Sequence, residues 1–280
     1  MPLTPNFSLA DTASDWLVGQ FTSFSDLPGI VHLVTTRMAP ALDAEADSTM
    51  IAATVSLMAD TLNLAEMAWC RQVHGAEVLV VDRGGIAGEA DSLVTATPGL
   101  GLLGRSADCP LILAAGPMDE AGASPVHRQG LASPAVGEHP RFAVGFAHAS
   151  WRSTVAGITT RMIERLGSEF GVQPATIKAG ICPSAGPCCY EVGDEVRSAA
   201  VADLGGEAAR FFHRRGQKYH FDLWQANSWQ LREAGVPADQ IASADLCTIC
   251  RNDLFPSYRV EGQAAGRFGA MVGILPTATP

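Results

Sequence analysis

Apolar positions recur along this chain with two periods, two in some short stretches and three to four in others. Residues 30–36 (IVHLVTT) form a β-branched run and predict a strand. A loop rich in Ala, Pro and Asp follows at 37–47. Ile51, Val55, Met58 and Leu62 then lie on one helical stripe, with Ser48 or Thr49 placed to cap it. Residues 68–74 and 77–81 read as strands, the second closed by Asp82-Arg83-Gly84-Gly85. A third strand-like run comes after Glu89-Ala90-Asp91-Ser92. Residues 100–103 and 111–114 are apolar and flank the tight segment Ser106-Ala107-Asp108-Cys109-Pro110.

Residues 142–147 predict a strand that ends at His148. Val155, Ile158, Met162 and Leu166 fall at helical spacing, and Gly167 is the expected stop. Residues 177–181 are strand-like, 183–190 are a Gly/Pro/Cys turn, and 194–209 read as helix. Tyr219-His220-Phe221 leads into a helix ending near Gly235. Residues 255–260 and 268–275 close the chain as strands. Two segments lack a period. Residues 1–27 read as a polar lead-in to a domain at 28–276. Residues 116–141, with four Pro, four Gly and four Ala, read as an excursion between two strands. His127 and His139 lie there and read as solvated loop histidines. With no internal repeat and no clean linker, the pattern predicts one α+β domain.

Composition narrows the function. The 280 residues are 47% hydrophobic and 17% charged, which buries a large core. A net charge of -10 argues against nucleic acid as a partner. No run reaches the roughly 18 apolar residues of a membrane span. Residues 1–20 carry Asp11 and Asp15 but no basic residue, so a signal peptide is not indicated and the cytoplasm is the expected location. Seven cysteines, an odd number, suit thiols, metal ligands or nucleophiles in a reducing compartment. The absence of basic or apolar surface runs is compatible with a monomer.

Three residues each end a strand and precede a turn: His74 in QVHG, Cys109 in SADC and His148 in AHASWR. Two imidazoles and one thiolate make three-quarters of a tetrahedral zinc shell and leave a fourth position open. The spacing alone does not distinguish this from a Cys–His nucleophile pair or from buried structural residues. Cys247 and Cys250 have metal-ligand spacing, and Cys188-Cys189 is a vicinal pair. Adjacent cysteines rarely ligate one ion together and no second C-x2-C exists, so the sequence speaks more against a second metal site than for it. Arg152, four residues after His148 at the start of a helix, is placed to meet phosphate. Arg37 and Arg71 are further candidate cations, and Asp108 is a turn-forming carboxylate, an orienting group or a proton carrier beside Cys109. No GxGxxG follows a strand, residues 101–104 are not a P-loop because no GK[ST] follows, and neither HExxH nor GxSxG is present.

Taken in order, QVHG at 72–75, EADSLVT at 89–95, ADC at 107–109, HASWR at 148–152, GPCCYEVG at 186–193 and SYR at 257–259 resemble the YfiH/YlmD family over residues 30–275. That family was long labelled polyphenol oxidase or laccase domain protein. The resemblance implies a fold of mixed β-sheets packed face to face with helices outside. It implies purine nucleoside phosphorylase activity, with adenosine deaminase and methylthioadenosine phosphorylase activities. Purine nucleosides and phosphate would be the small-molecule partners. It implies zinc on His74, Cys109 and His148, with copper and a laccase-like oxidase, or a non-catalytic zinc protein, as the alternatives. Arg37 and Arg152 match arginines of the family's TTR and WRG segments. The chain departs from the pattern at TTRMAPA (35–41), HASWRS (148–153), ICP (181–183) and SADC (106–109), where glycines are lost or a hydroxyl residue is exchanged. Lost glycines put loop geometry in question.

Overall fold

Alternation along the strands decides the layering. Leu102 and Leu103 are neighbours on one strand. Leu102 joins the central apolar cluster, whereas Leu103 joins a separate cluster on the opposite face. The computed structural model describes residues 2–42, 48–119 and 141–277. Among these, eight strands form one sheet, whose first four in spatial order are β1 (Pro2–Thr4), β2 (Phe7–Asp11), β3 (Leu17–Phe21) and β4 (Ile30–Thr35). It continues through β17 (Phe268–Ile274), β9 (Leu100–Ser106), β5 (Glu66–Arg71) and β7 (Gly85–Glu89). The second sheet runs β16 (Ile241–Ser243), β12 (Lys178–Ile181), β10 (Leu111–Pro117), β11 (Phe142–His148), β8 (Ser92–Thr95) and β6 (Val78–Val80). A small third sheet orders β13 (Glu191–Val192), β15 (Lys218–Phe221) and β14 (Phe212–Arg215). Both large sheets mix parallel and antiparallel pairs.

The two large sheets face each other across the central cluster, which takes Phe21, Val34, Leu102 and Val272 from one and Leu93, Leu113, Val144 and Phe146 from the other. Close approach is built into the glycines: a methyl group on Gly104 would stand 2.7 Å from the Phe146 ring, and one on Gly180 2.6 Å from Phe21. The outer face of the second sheet is covered by helix Ile158–Phe170, through Ile158, Met162, Ile163 and Leu166 packed on Ile112, Ala114 and Ala147. The outer face of the first is covered by helix Ser48–Thr61, whose Ile51, Val55 and Met58 pack on Leu33, Leu103 and Met271. The result is helix, sheet, sheet, helix: an α+β arrangement of mixed sheets packed face to face.

Several expectations from the sequence shift. The segment read as a polar lead-in, residues 1–27, holds β1 to β3 and a 3-10 turn, and Phe7, Phe21 and Phe24 are fully buried. Its strands are too short and too polar to show a period, yet they supply the Phe7 and Phe21 rings to the core, and the 3-10 turn adds Phe24. The helix expected to stop at Gly167 is two, Trp151–Val155 and Ile158–Phe170, separated at Gly157. It stops at Gly171, whose φ of 71° provides the left-handed C-cap. The helix read as 194–209 ends at Leu204, after which Gly206–Phe211 is 3-10. The strand expected at 255–260 is instead a helical turn, Tyr258–Glu261, capped by the Ser257 side chain accepting from the Val260 N–H. The proposed cap at Ser48 or Thr49 lies outside the described side chains. Residues 120–140, most of the excursion and both His127 and His139, lie outside the described residues. At its two ends, β10 and β11 pair antiparallel, Pro117 opposite Phe142.

Candidate metal centre

His74, Cys109 and His148 come from three places in sequence and meet at one end of the sandwich. His148 is the last residue of β11 and lies opposite Leu111, the first residue of β10. Cys109 sits in the turn by which the chain leaves β9 in one sheet and enters β10 in the other. His74 follows β5, the neighbour of β9. One ligand atom from each lies within 4.8 Å of the others. The imidazole rings stand 5.1 Å apart at 67°. His148 is buried, Cys109 half-buried and His74 exposed, so the cluster has a protein side and an open side.

Asp91, fully buried at the end of the EADS segment, organises the histidines. Its Oδ1 lies 2.8 Å from His148 Nδ1. A carboxylate there fixes the Nδ1–H tautomer and leaves Nε2 for a metal. The backbone N–H groups of Val73, His74 and Gly75 donate to the same carboxylate at 3.1, 3.0 and 2.6 Å. They converge because His74 adopts a φ of 61°, a left-handed conformation that turns successive N–H groups toward one anion. The His148 N–H donates to the Asp91 carbonyl at 2.7 Å. One side chain thus holds both imidazole-bearing segments. Sequence reasoning passed over Asp91, because a carboxylate in a polar turn carries no signal until its neighbours are known.

Electrostatics match the donor set. Burial opposes charge on Cys109, but His148 and His74 outweigh it and bring the thiol down to about 6. Burial also opposes charge on His148, but Cys109 and Asp91 lift the imidazole to about 9. Burial raises Asp91, yet its hydrogen bonds to His148, Gly75 and Val73 prevail and hold the carboxyl below its ordinary value. Without metal, a thiolate–imidazolium pair is therefore favoured between about pH 6 and about pH 9. The lowered thiol supports folding above its ordinary range and loses that contribution as pH falls through about 6. The raised imidazole contributes below its ordinary value and loses that as pH rises through about 9. Iodoacetamide labelling of Cys109 in chelator-treated protein, followed by peptide mass mapping, is expected to rise with a midpoint near pH 6 and to be suppressed by added zinc.

The open side faces a cavity of about 510 Å³, a size suited to a small molecule. Four arginines line it, Arg71, Arg105, Arg259 and Arg267, against a single carboxylate residue, Asp108. Tyr190 and Tyr258 add aromatic wall. An acidic chain therefore carries a locally basic cavity. Asp108 has a φ of 90° and a fully engaged carboxylate, taking the Thr248 hydroxyl at 2.6 Å and the Arg259 N–H at 2.8 Å. It ties the Cys109 turn to two distant loops, which makes it a positioning group. Arg259 stacks its guanidinium over Tyr190 at 4.7 Å.

The other two arginines singled out in the sequence are placed elsewhere. Arg37 pairs with Glu261 and donates from Nε to the Asn252 carbonyl at 2.7 Å. Arg152 is exposed and lies over the Trp151 ring at 4.3 Å. Neither lines the cavity, whose arginines are Arg71, Arg105, Arg259 and Arg267. Arg71 is among the candidate cations of the sequence and Arg259 belongs to the SYR motif, whereas Arg105 and Arg267, each standing alone in sequence, were missed. The serines that replace family glycines in HASWRS bond one another at 2.7 Å, and Ser150 caps helix Trp151–Val155.

A two-sheet sandwich with a His-Cys-His cluster, a candidate metal site, at the mouth of an arginine-lined cavity defines the class of protein to which this chain is compared. The family model described as multi-copper polyphenol oxidoreductase laccase matches residues 36–136 and 136–275. The chain belongs to this family, that of the YfiH and YlmD proteins. It is 34% identical over 206 residues to purine nucleoside phosphorylase YlmD of Geobacillus stearothermophilus, covering 73% of this chain and 70% of that one. It is 32% identical over 208 residues to purine nucleoside phosphorylase YfiH of Escherichia coli K12, covering 74% and 73%. The crystal structure of YlmD from Geobacillus stearothermophilus superposes with a TM-score of 0.76 at 28% identity, over 95% of this chain and 98% of that one.

Proposed function

We propose that this protein is a zinc-dependent purine nucleoside phosphorylase with adenosine deamination as a second activity, acting on small molecules in the cytoplasm. The carrying observation is the convergence of His74, Cys109 and His148 on a cavity lined by four arginines. The names of the relatives support the same reading. All seven cysteines are free, which agrees with a reducing compartment. Among the described residues no helix is long and apolar enough to cross a membrane.

Two imidazoles and a thiol shifted toward thiolate suit zinc, and His74, Cys109 and His148 would hold it with one position left open. When bound there, zinc supplies a Lewis acid and an acidified water, the chemistry used in adenosine deamination. The remaining work falls to the chain. In phosphorolysis a phosphate oxygen bonds to C1′ as the bond from C1′ to the purine nitrogen breaks. The electron pair leaves with the base, and C1′ gains oxocarbenium character on the way. Arginines bind the phosphate and stay charged throughout. Tyr190 and Tyr258 offer faces for the purine. Asp108 keeps the Cys109 turn and Arg259 in place.

A copper oxidase is not favoured. Among the described residues only one ligand cluster contains histidine, and it offers two imidazoles, too few for a multicopper centre.

The test is a product assay on the purified, metal-analysed protein. Adenosine is incubated with and without phosphate, and adenine, inosine and hypoxanthine are separated. Phosphate-dependent adenine is expected, with inosine forming without phosphate. Absence of both from zinc-loaded protein overturns the proposal. Arg71→Ala and Arg259→Ala are each expected to raise the KM for phosphate about tenfold, the loss of one charge-assisted contact of roughly 1.4 kcal/mol. Initial rates against phosphate concentration read this out, and inosine formation without phosphate should change less.

A further inference from the structure

A second group of metal-type ligands lies on the other side of the Tyr190 wall. Cys188 and Cys189 come from the turn after β12, and Cys247 and Cys250 from the loop after β16. Their sulfurs all lie within 4.8 Å of one another. Cys250 Sγ is 3.6 Å from Cys188 and 3.4 Å from Cys189. A tetrahedral four-thiolate zinc with bonds of about 2.3 Å has sulfur–sulfur edges of roughly 3.8 Å. A disulfide requires about 2.05 Å, and all four cysteines are free.

The backbone is arranged for the same purpose. The Gly186 N–H points at Cys247 Sγ at 3.3 Å, and the N–H groups of Ile249 and Cys250 also bond that sulfur. N–H groups aimed at one sulfur favour its thiolate, the form that binds metal. The vicinal pair is no obstacle, because Cys189 and Tyr190 both donate their N–H to the Gly186 carbonyl. This tight turn brings both side chains to the same Cys250. Four soft donors without imidazole or carboxylate select zinc among common divalent ions.

We propose that Cys188, Cys189, Cys247 and Cys250 form a structural zinc site, separate from the His-Cys-His centre. Its place in the fold states its purpose. One ligand pair directly precedes Tyr190 in the cavity wall. The other brackets Thr248, whose hydroxyl holds Asp108 beside Cys109. Besides the sulfurs, the two loops are joined by the parallel bridge at Ser184 and Cys247, made by the hydrogen bonds Ser184 N–H to Leu246 and Thr248 N–H to Ser184, and by the Gly186 contact. Zinc would lock the two loops together and hold the cavity wall in place.

The test reads metal content, not turnover, so it stands whether or not the phosphorylase assay succeeds. Full-length protein is expressed in zinc-supplemented medium, purified under reductant without chelator, and assayed for zinc per chain. Two equivalents are expected for the parent, one for C109A, and one for the double variant C247S/C250S. If the double variant does not fold, cobalt titration of the parent and of C188S decides. The parent should show intense thiolate-to-cobalt charge transfer with tetrahedral d–d bands, and C188S should lose about a fifth of the charge-transfer intensity, one thiolate of the five in the two sites. A parent that binds only the equivalent lost in C109A overturns the proposal. So does reaction of all four thiols at the rate of free cysteine in metal-replete, reduced protein.

Discussion

Cys109→Ala is expected to lose one zinc per chain and to lower both phosphorolysis and deamination by on the order of 10³-fold. The thiol is the only donor of the three that can be anionic, and its depressed value of about 6 keeps it a thiolate at neutral pH. Two imidazoles alone, one of them exposed, leave a weak site. Folding should survive, since the Asp108 side chain and its backbone carbonyl still tie the turn to Thr248, Arg259 and Ala185. Metal analysis beside kcat/KM for adenosine checks this. A zinc-free variant with parental turnover would remove the metal from the mechanism.

Asp91→Asn is expected to weaken zinc binding by roughly 10- to 100-fold and to destabilise the fold by about 2–4 kcal/mol. The carboxylate serves four donors, His148 Nδ1–H and the N–H groups of Val73, His74 and Gly75. An amide keeps one oxygen and presents an NH2 to donors already there, in a site with no exposure to water. The pH dependence carries the same signature. The Asp91 carboxyl is held below its ordinary value, so its stabilisation is present above about pH 4 and fades as pH falls through that lower value. Urea midpoints measured from pH 7 to pH 3 should fall more steeply for the parent than for the variant. Equal slopes would show that Asp91 is not the group responsible.

Much of the sandwich was legible because its inner strands carry the signal that burial demands. Residues 30–36, 142–147 and 268–275 are apolar runs, and they became β4, β11 and β17. Among the edges, β6 was legible at 77–81, but others were not. β7 has no buried position, so nothing in its composition distinguishes it from a loop. β1 to β3 are short, and their buried rings are spread over polar sequence. At 255–260 an aromatic and β-branched composition suggested a strand, but the Ser257 cap and the tether from Arg259 N–H to Asp108 turn it into helix. Local propensity lost there to a tertiary contact.

His74, Cys109 and His148 stand out in the sequence as strand ends before turns, but the order of six motifs was needed to prefer one metal set over the alternatives. Their separations along the chain contain no geometry. By itself the sequence determined the alternation that makes two sheets, the helical stripes that cover them, and which side chains can serve as ligands. Only the tertiary structure decided the rest. It placed the crossover at Cys109 between the sheets, put Asp91 behind His148, gathered four scattered arginines around one cavity, and brought Cys188 and Cys189 to Cys247 and Cys250. The physical reason is that periodicity records which face of an element is buried. A site is assembled where the ends of different strands meet, and strand order and register, which set that meeting, are written in no local stretch of the chain.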